Sequence, residues 1–192
     1  MNDGARPAVF LDRDGTINVE VGYLSRPEDL RLINGSAGAV RRLNEAGFLV
    51  VVVSNQSGVA RGYFSEEAVE RVNEAMERRL RRRGARLDAI YYCPHHPEGV
   101  VDRYRRECGC RKPAPGMVRR AQEDLGIDVP RSYVVGDHRG DILLAKNVGA
   151  RSILVTTGHG ADEIEKLTGD GTQPDFIVKN LAEAVDRILF ER

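Results

Sequence analysis

Two carboxylates one residue apart, Asp12 and Asp14, come directly after an apolar run in Ala8-Val9-Phe10-Leu11-Asp12-Arg13-Asp14-Gly15-Thr16. Side chains at this spacing share a face if extended geometry persists, or converge if the chain turns. Together they make a hard-oxygen site suited to Mg²⁺. One can attack an electrophile while the other gives and later takes a proton. Gly15 permits a sharp turn or a close approach, and Thr16 can cap the next turn of chain. Ordinary turns favour the same residues, so the motif needs partners elsewhere in the chain. Ser54-Asn55-Gln56-Ser57-Gly58 ends the second long apolar run, where a hydroxyl and exposed backbone N–H groups can hold phosphate oxygens. Gly136-Asp137-His138-Arg139-Gly140-Asp141 brings a second acidic pair to the start of a helix. There Asp137 can add a metal ligand and Asp141 can orient it or a cation. Lys112, just before Pro113, is a fixed positive charge between the acidic segments. Taken singly, Ser54 also reads as a turn or helix cap, Asp137 as an N-cap and Lys112 as a solvated lysine. Their joint order along the chain points to one site.

A second constellation is built from sulfur. The three cysteines, Cys93, Cys108 and Cys110, fall in one short stretch, CPHHPEGVVDRYRRECGCR from Cys93 to Arg111. An odd, clustered set suggests metal before disulfide. With His95 they form a Cys₃His set sufficient for a closed tetrahedral Zn²⁺ site of structural type. His96 competes for the imidazole position, because adjacent residues usually point apart. The stretch has little apolar content beyond Val100, Val101 and Tyr104, so the expectation is that metal, rather than a hydrophobic core, orders it. It ends at Arg111-Lys112 and would thereby position both cations.

The elements that must hold these groups are legible in the apolar pattern. Ala8–Leu11, Phe48 to Val53, Ala89 to Tyr92, Tyr133 to Val135, Ile153 to Val155 and Phe176–Val178 read as strands. They are near-continuously apolar, as strands covered on both faces are. Amphipathic helices lie between them. One is capped by Ser65 and ends at Gly84; others run from near Ser36 to Gly47, from Pro115 to Gly126, and onward from Asn180 with Glu183. Alternating strands and helices predict a Rossmann-like parallel α/β sheet flanked by helices, with chemistry beyond the carboxyl ends of the strands. The expectation is a single domain over 1–192 with a zinc-bound loop insertion at 93–111. Neither the segment after Thr16 nor that between Gly58 and Lys112 has room for a large cap domain.

Composition narrows the function. Twenty-nine Lys+Arg against 29 Asp+Glu give a formal net charge of zero, and aromatic residues make up 6%. Neither suits a protein held to nucleic acid or anionic membrane by bulk charge and base stacking. No apolar run approaches the ~20 residues of a membrane span. The start, Met1-Asn2-Asp3-Gly4-Ala5-Arg6-Pro7, lacks the features of a signal peptide. The chain therefore reads as cytoplasmic.

The order Asp12-Arg13-Asp14-Gly15-Thr16, Ser54, Lys112, Gly136-Asp137 with Asp141 resembles the four motifs of haloacid dehalogenase superfamily phosphatases, from about Val9 to Ala150. The resemblance implies a Mg²⁺-dependent phosphatase in which Asp12 is the nucleophile and forms an aspartyl-phosphate. Asp14 would be the general acid and base, and Ser54 and Lys112 would hold the transferring phosphoryl group. Asp12, Asp137 and the Asp14 backbone carbonyl would bind Mg²⁺, with Asp141 supporting. Ser54-Asn55-Gln56-Ser57-Gly58-Val59-Ala60-Arg61-Gly62, Cys93-Pro94-His95-His96-Pro97 and Cys108-Gly109-Cys110-Arg111-Lys112-Pro113 are similar to one subfamily, the heptose 1,7-bisphosphate phosphatases. That subfamily removes the C7 phosphate of a phosphorylated sugar. The resemblance implies Asn55, Gln56, Ser57, Arg61 and Arg111 at the substrate, where guanidinium groups suit the second phosphate; the chain is expected to be a monomer. The chain departs from the subfamily at His138, where lysine is commoner, and His138 is expected to be partly protonated near neutrality. Histidinol-phosphate phosphatases share the acidic motifs and the zinc loop and are the nearest rival. A non-catalytic zinc-stabilised module binding nucleic acid or protein through Arg78 to Arg83 and Arg103 to Arg106 is the alternative of another class.

Overall fold

The computed structural model describes residues 4–169 and 171–191. The opening Met1-Asn2-Asp3, which entered the signal-peptide reading, lies outside them. Six parallel strands form one sheet: β1 (Ala8–Leu11), β2 (Leu49–Asn55), β3 (Ala89–Cys93), β4 (Tyr133–Gly136), β5 (Arg151–Val155) and β6 (Phe176–Val178). Their spatial order is β3-β2-β1-β4-β5-β6. The helices are α1 (Ser36–Glu45), α2 (Glu66–Arg81), α3 (Gly116–Leu125), α4 (Arg139–Val148), α5 (Gly160–Gly169) and α6 (Leu181–Phe190). No helix among the described residues is long and apolar enough to cross a membrane.

Strand alternation explains why both faces of the sheet are covered. Val9, Leu11, Val50 and Val52 point to the layer of α1, α2 and α6, where Val40, Leu43, Val72, Met76, Val185 and Ile188 are buried. Ala8, Phe10, Val51 and Val53 point the other way, onto Met117, Val118 and Ala121 of α3 and Leu144 and Ala145 of α4. Each central strand is therefore apolar at successive positions, as strands between two helical layers must be.

Two expectations and one alternative reading need correction. Ser65 stands at the N-cap of α2 with extended backbone but caps no helix N–H; its hydroxyl bonds the carboxylate of Glu67. The acidic first turn of Glu66 and Glu67 then complements the helix dipole. The cap of α4 is His138 rather than Asp137: His138 Nδ1 accepts from the Gly140 N–H at 3.1 Å, and Asp141 accepts from the His138 N–H at 3.2 Å. Finally, the loop after β3 does have a small core. Tyr104 is buried against Val59, Ala60 and Val69, and a short 3₁₀ turn spans Asp102–Tyr104. The Val100 and Val101 N–H groups both donate to Ala60 O, at 2.8 and 3.0 Å, and the Tyr104 hydroxyl bonds Glu66.

Candidate active site

In this strand order the chain leaves β1 toward β2 and returns from β3 to β4, so the switch point lies between β1 and β4, where open α/β sheets bind ligands. Asp12 comes just after β1 and Asp137 just after β4. The Asp12 N–H donates to Val135 O at 2.9 Å, which extends the β1–β4 ladder to the acidic residue itself. Asp12, Asp137 and Asp141 each offer a carboxylate oxygen within 4.8 Å of the others. Lys112 Nζ lies 2.8 Å from Asp12 Oδ1 and 2.7 Å from Asp141 Oδ1, and donates to Val53 O at 2.8 Å. Burial alone would depress the lysine pKa, but the two carboxylates outweigh it and keep Nζ an ammonium. Burial, with the Asp12 charge beside it, pushes Asp137 up to about 8, although the His159 N–H donates to its Oδ2 at 2.8 Å. Asp141 is lifted to about 6 by burial, against the pull of Lys112.

Two glycines hold Asp137 in place. Gly15 (φ 78°) and Gly158 (φ 58°) both approach its carboxylate so closely that a Cβ at either would collide with Oδ2. Both also adopt the left-handed backbone that glycine takes without steric cost. Thr157 Oγ1 donates to Gly15 O at 2.5 Å, tying the loop after β5 to the turn after β1.

Asp14 has a separate environment. Its carboxylate accepts from Arg13, Gln56 and Asn18. Burial would raise its pKa, yet the Arg13 charge and these hydrogen bonds together hold it below 3.8. A cavity of about 350 Å³ opens over Asp12, Asp14, Ser54, Lys112 and Asp137. Ser57 and Arg111 line it too. Asn55 and Gln56 reach the cavity, but their amides are engaged with the protein. Asn55 Nδ2 donates to Lys112 O at 3.1 Å while its Oδ1 accepts from the Lys112 N–H at 2.9 Å. Gln56 Nε2 donates to Ser54 Oγ at 2.8 Å and to Asp14 Oδ2 at 3.0 Å. Arg61 lies outside the cavity lining; its Nη2 is 3.2 Å from His96 Nε2. Glu20, Tyr23 and Leu24 from the loop after β1, with His138 and His159, complete the wall. Glu20 and Leu24 gave no sequence signal, because the loop after β1 has neither motif nor period. Burial pushes the His138 pKa down from its ordinary value, in keeping with its Nδ1 accepting from the Gly140 N–H.

The sulfur constellation assembles beside this cavity. Cys93 Sγ lies 3.4 Å from Cys108 Sγ and 3.1 Å from Cys110 Sγ, and the Cys108–Cys110 separation is 3.3 Å. His95 Nδ1 is 3.7 Å from Cys93 Sγ and 3.4 Å from Cys110 Sγ. A tetrahedron with sulfur about 2.3 Å from zinc has edges of about 3.8 Å, so the four atoms form that polyhedron slightly contracted. Hydrogen bonding from Cys93 holds the Cys110 thiol down at about 5, so this cluster readily supplies a thiolate. His96 is turned away, its Nδ1 accepting from the Glu98 N–H at 3.1 Å. Of the two imidazoles, His95 is the one that faces the three thiols.

Fold and site together define a haloacid dehalogenase-like hydrolase, and the family model described as HAD-hydrolase-like matches residues 109–184. The chain is 45% identical over 180 residues to the D-glycero-beta-D-manno-heptose-1,7-bisphosphate 7-phosphatase of Yersinia pestis, covering 92% of each. It is 49% identical over 187 residues to the D-glycero-D-manno-heptose-1,7-bisphosphate 7-phosphatase of Thermosynechococcus vestitus, covering 95% of each. The crystal structure of a D,D-heptose 1,7-bisphosphate phosphatase from B. bronchiseptica, complexed with magnesium and phosphate, superposes with a TM-score of 0.84. It is 33% identical, covering 97% of this chain and 99% of that one. The chain belongs to the heptose 1,7-bisphosphate 7-phosphatase family.

Proposed function

We propose that this protein removes the C7 phosphate of D-glycero-D-manno-heptose 1,7-bisphosphate through an aspartyl-phosphate on Asp12. The observation that carries the reading is the convergence of Asp12, Asp137 and Asp141, within 4.8 Å of one another, around Lys112. Three carboxylates and one ammonium leave an excess of negative charge, and Asp137 takes it up by retaining its proton to about pH 8. That donor set fits a hard divalent cation. Lys112 already engages Asp141, so Asp12, Asp137 and the Asp14 backbone carbonyl are the Mg²⁺ ligands in this reading. When bound, the ion cancels the charge that would keep a carboxylate away from a phosphate. Asp12 then attacks phosphorus, held in line by Lys112. The phosphate group enters as its monoanion and passes its proton to the Asp14 carboxylate. The bond to the C7 oxygen then breaks as Asp14 gives that oxygen the proton, and Asp14 later takes a proton from the water that hydrolyses the aspartyl-phosphate. Ser54 and Lys112 hold the phosphoryl oxygens. Ser57 and Arg111 face the sugar and its second phosphate, Asn55 and Gln56 act through the residues they hold, and Arg61 acts through His96.

Zn²⁺ on Cys93, His95, Cys108 and Cys110 fixes the end of the loop that delivers Arg111 and Lys112. Its four protein ligands leave no coordination position for a reactive water, so its role is structural. The protein works in the cytoplasm as a monomer on a small phosphorylated sugar, without nucleic acid or membrane. Phosphate release with Mg²⁺ from both anomers of heptose 1,7-bisphosphate and from histidinol phosphate tests the reading. Preferred turnover of the bisphosphate supports it. Preferred turnover of histidinol phosphate replaces the substrate, and no release from any monoester removes the enzymatic assignment.

A further inference from the structure

Between Asp12 and Asp14 stands an arginine to which the phosphatase chemistry gives no part. Arg13 is 1% exposed, and a buried guanidinium requires partners. Its Nη1 donates to Asn73 Oδ1 at 2.9 Å and its Nη2 to Gln56 Oε1 at 3.1 Å. Its Nε and Nη2 both donate to Asp14 Oδ2, at 3.1 and 2.8 Å. Asn73 is itself out of place by composition. It lies buried on α2 among Val69, Val72, Ala75 and Met76, and its side-chain oxygen is spent on Arg13.

The consequence is an asymmetry between the two oxygens of Asp14. Oδ2 accepts three hydrogen bonds, from Arg13 Nε, Arg13 Nη2 and, at 3.0 Å, Gln56 Nε2. A carboxylate oxygen offers about two lone-pair sites, so Oδ2 is saturated. Among the described residues Oδ1 accepts one bond, from Asn18 Nδ2 at 2.8 Å, and keeps a site free. A proton on Oδ2 would displace charge-assisted bonds, whereas one on Oδ1 displaces none.

We propose that Arg13, anchored by Asn73 on α2 and assisted by Gln56, is a positioning residue that commits Oδ1 of Asp14 to carry the catalytic proton. The inference rests on the reading of Asp14 as general acid and base. In the first half-reaction Asp12 forms its bond to phosphorus and the phosphorus–oxygen bond of the substrate breaks. Its electron pair stays on the departing oxygen, and that oxygen takes the proton from Asp14 Oδ1. Without Arg13 the carboxyl group can rotate and place its proton on either oxygen.

Single-turnover kinetics with two leaving groups tests this. A sugar alkoxide needs the proton, whereas p-nitrophenolate departs as a stable anion. For Arg13→Ala, release of the dephosphorylated sugar from heptose 1,7-bisphosphate is expected to fall about 100-fold, the scale of lost general-acid catalysis. The first-turnover burst of p-nitrophenol is expected to stay within about fivefold of the parent. Arg13→Lys should behave like Arg13→Ala, because an ammonium cannot span Asp14, Gln56 and Asn73 together. In an Asp14→Asn background, Arg13→Ala should cost little more. Equal slowing of both substrates, or full additivity with Asp14→Asn, would overturn the proposal while leaving the phosphatase reading intact. Absence of both reactions in the parent protein would instead overturn that reading. Should Arg13→Ala fail to fold, Asn73→Leu, which removes the anchor of Arg13 on α2 outside the cavity lining, decides: the same selectivity at lower amplitude supports the proposal, and equal slowing refutes it.

Discussion

The molecule carries two polar clusters a few residues apart at the carboxyl end of its sheet, and they are held together by opposite means. The carboxylates of Asp12, Asp137 and Asp141 are placed by the ends of β1 and β4 and the first turn of α4, with the Lys112 ammonium buried among them. Their backbone is fixed by strands that are apolar on both faces, so the site is organised before any ligand arrives. Cys93, His95, Cys108 and Cys110 come instead from a strand end and a long loop. That loop carries a small apolar cluster around Tyr104, and its Cys108 and Cys110 pack partly buried against the sheet core. The first cluster is a consequence of the sheet; the second, in the proposed reading with zinc bound, orders its own loop. Where a core of 26 buried residues stands behind a site, carboxylates can be crowded together and balanced internally, here by the Lys112 ammonium and the proton held on Asp137. Where it does not, the ligand set itself must do the work.

The strongest way to break that contrast is to remove chemistry from the first cluster without touching its frame. Asp12→Asn should cut turnover by roughly 10⁴-fold or more, as loss of a covalent nucleophile does. Its melting temperature should match or exceed the parent's, since one charge leaves a crowded acidic trio. Near-parental turnover would take Asp12 out of the nucleophile role. The opposite response is expected at the second cluster. Cys108→Ser should release zinc and loosen the loop, lowering turnover about 10- to 100-fold through displaced Arg111 and Lys112. Magnesium binding to the carboxylates should survive. A zinc-free preparation with full activity would show that the loop orders itself.

A pH series sharpens the comparison further. Asp137 in the folded protein is raised to about 8 from 3.8, and Asp141 to about 6, so the folded state binds more protons than the unfolded one between these values. The stability this contributes is complete below about pH 3.8 and disappears as pH rises through 8. Zinc-loaded, magnesium-free protein should therefore melt several degrees lower at pH 8 than at pH 5. Added Mg²⁺ should restore more at pH 8 than at pH 5. A melting temperature that rises over this interval would contradict the electrostatic account. The smallest effect belongs to Asn55→Ala, which removes both side-chain bonds to the Lys112 backbone. Loss of two such bonds predicts about a 3- to 10-fold drop in kcat/KM with zinc content unchanged.

Legibility in the sequence divides along the same line. Asp12, Ser54, Lys112 and Asp137 were legible because of their place beside apolar runs and a helix start, and strand ends have a fixed place in a parallel sheet. The sulfur cluster was legible because three cysteines and His95 fall in one short stretch of low apolar content, although Cys93 is in fact buried in the sheet core. Contacts made across the fold by single residues were not. Asn73 reads as one polar position in an amphipathic helix, and only the packed structure turns it toward Arg13. Gly158 reads as a loop glycine, although it packs on Asp137 from 21 residues further along the chain. Helix α5 escaped notice because its buried side is short, with Leu167 and the ion-paired Glu163 in place of an apolar stripe.

The most direct test of the central claim is ³¹P NMR of the reaction with D-glycero-D-manno-heptose 1,7-bisphosphate and Mg²⁺. The account predicts growth of inorganic phosphate together with a sugar that keeps its C1 phosphate signal and loses the one at C7. Loss of the C1 signal, or an unchanged spectrum beside rapid cleavage of histidinol phosphate, would contradict it.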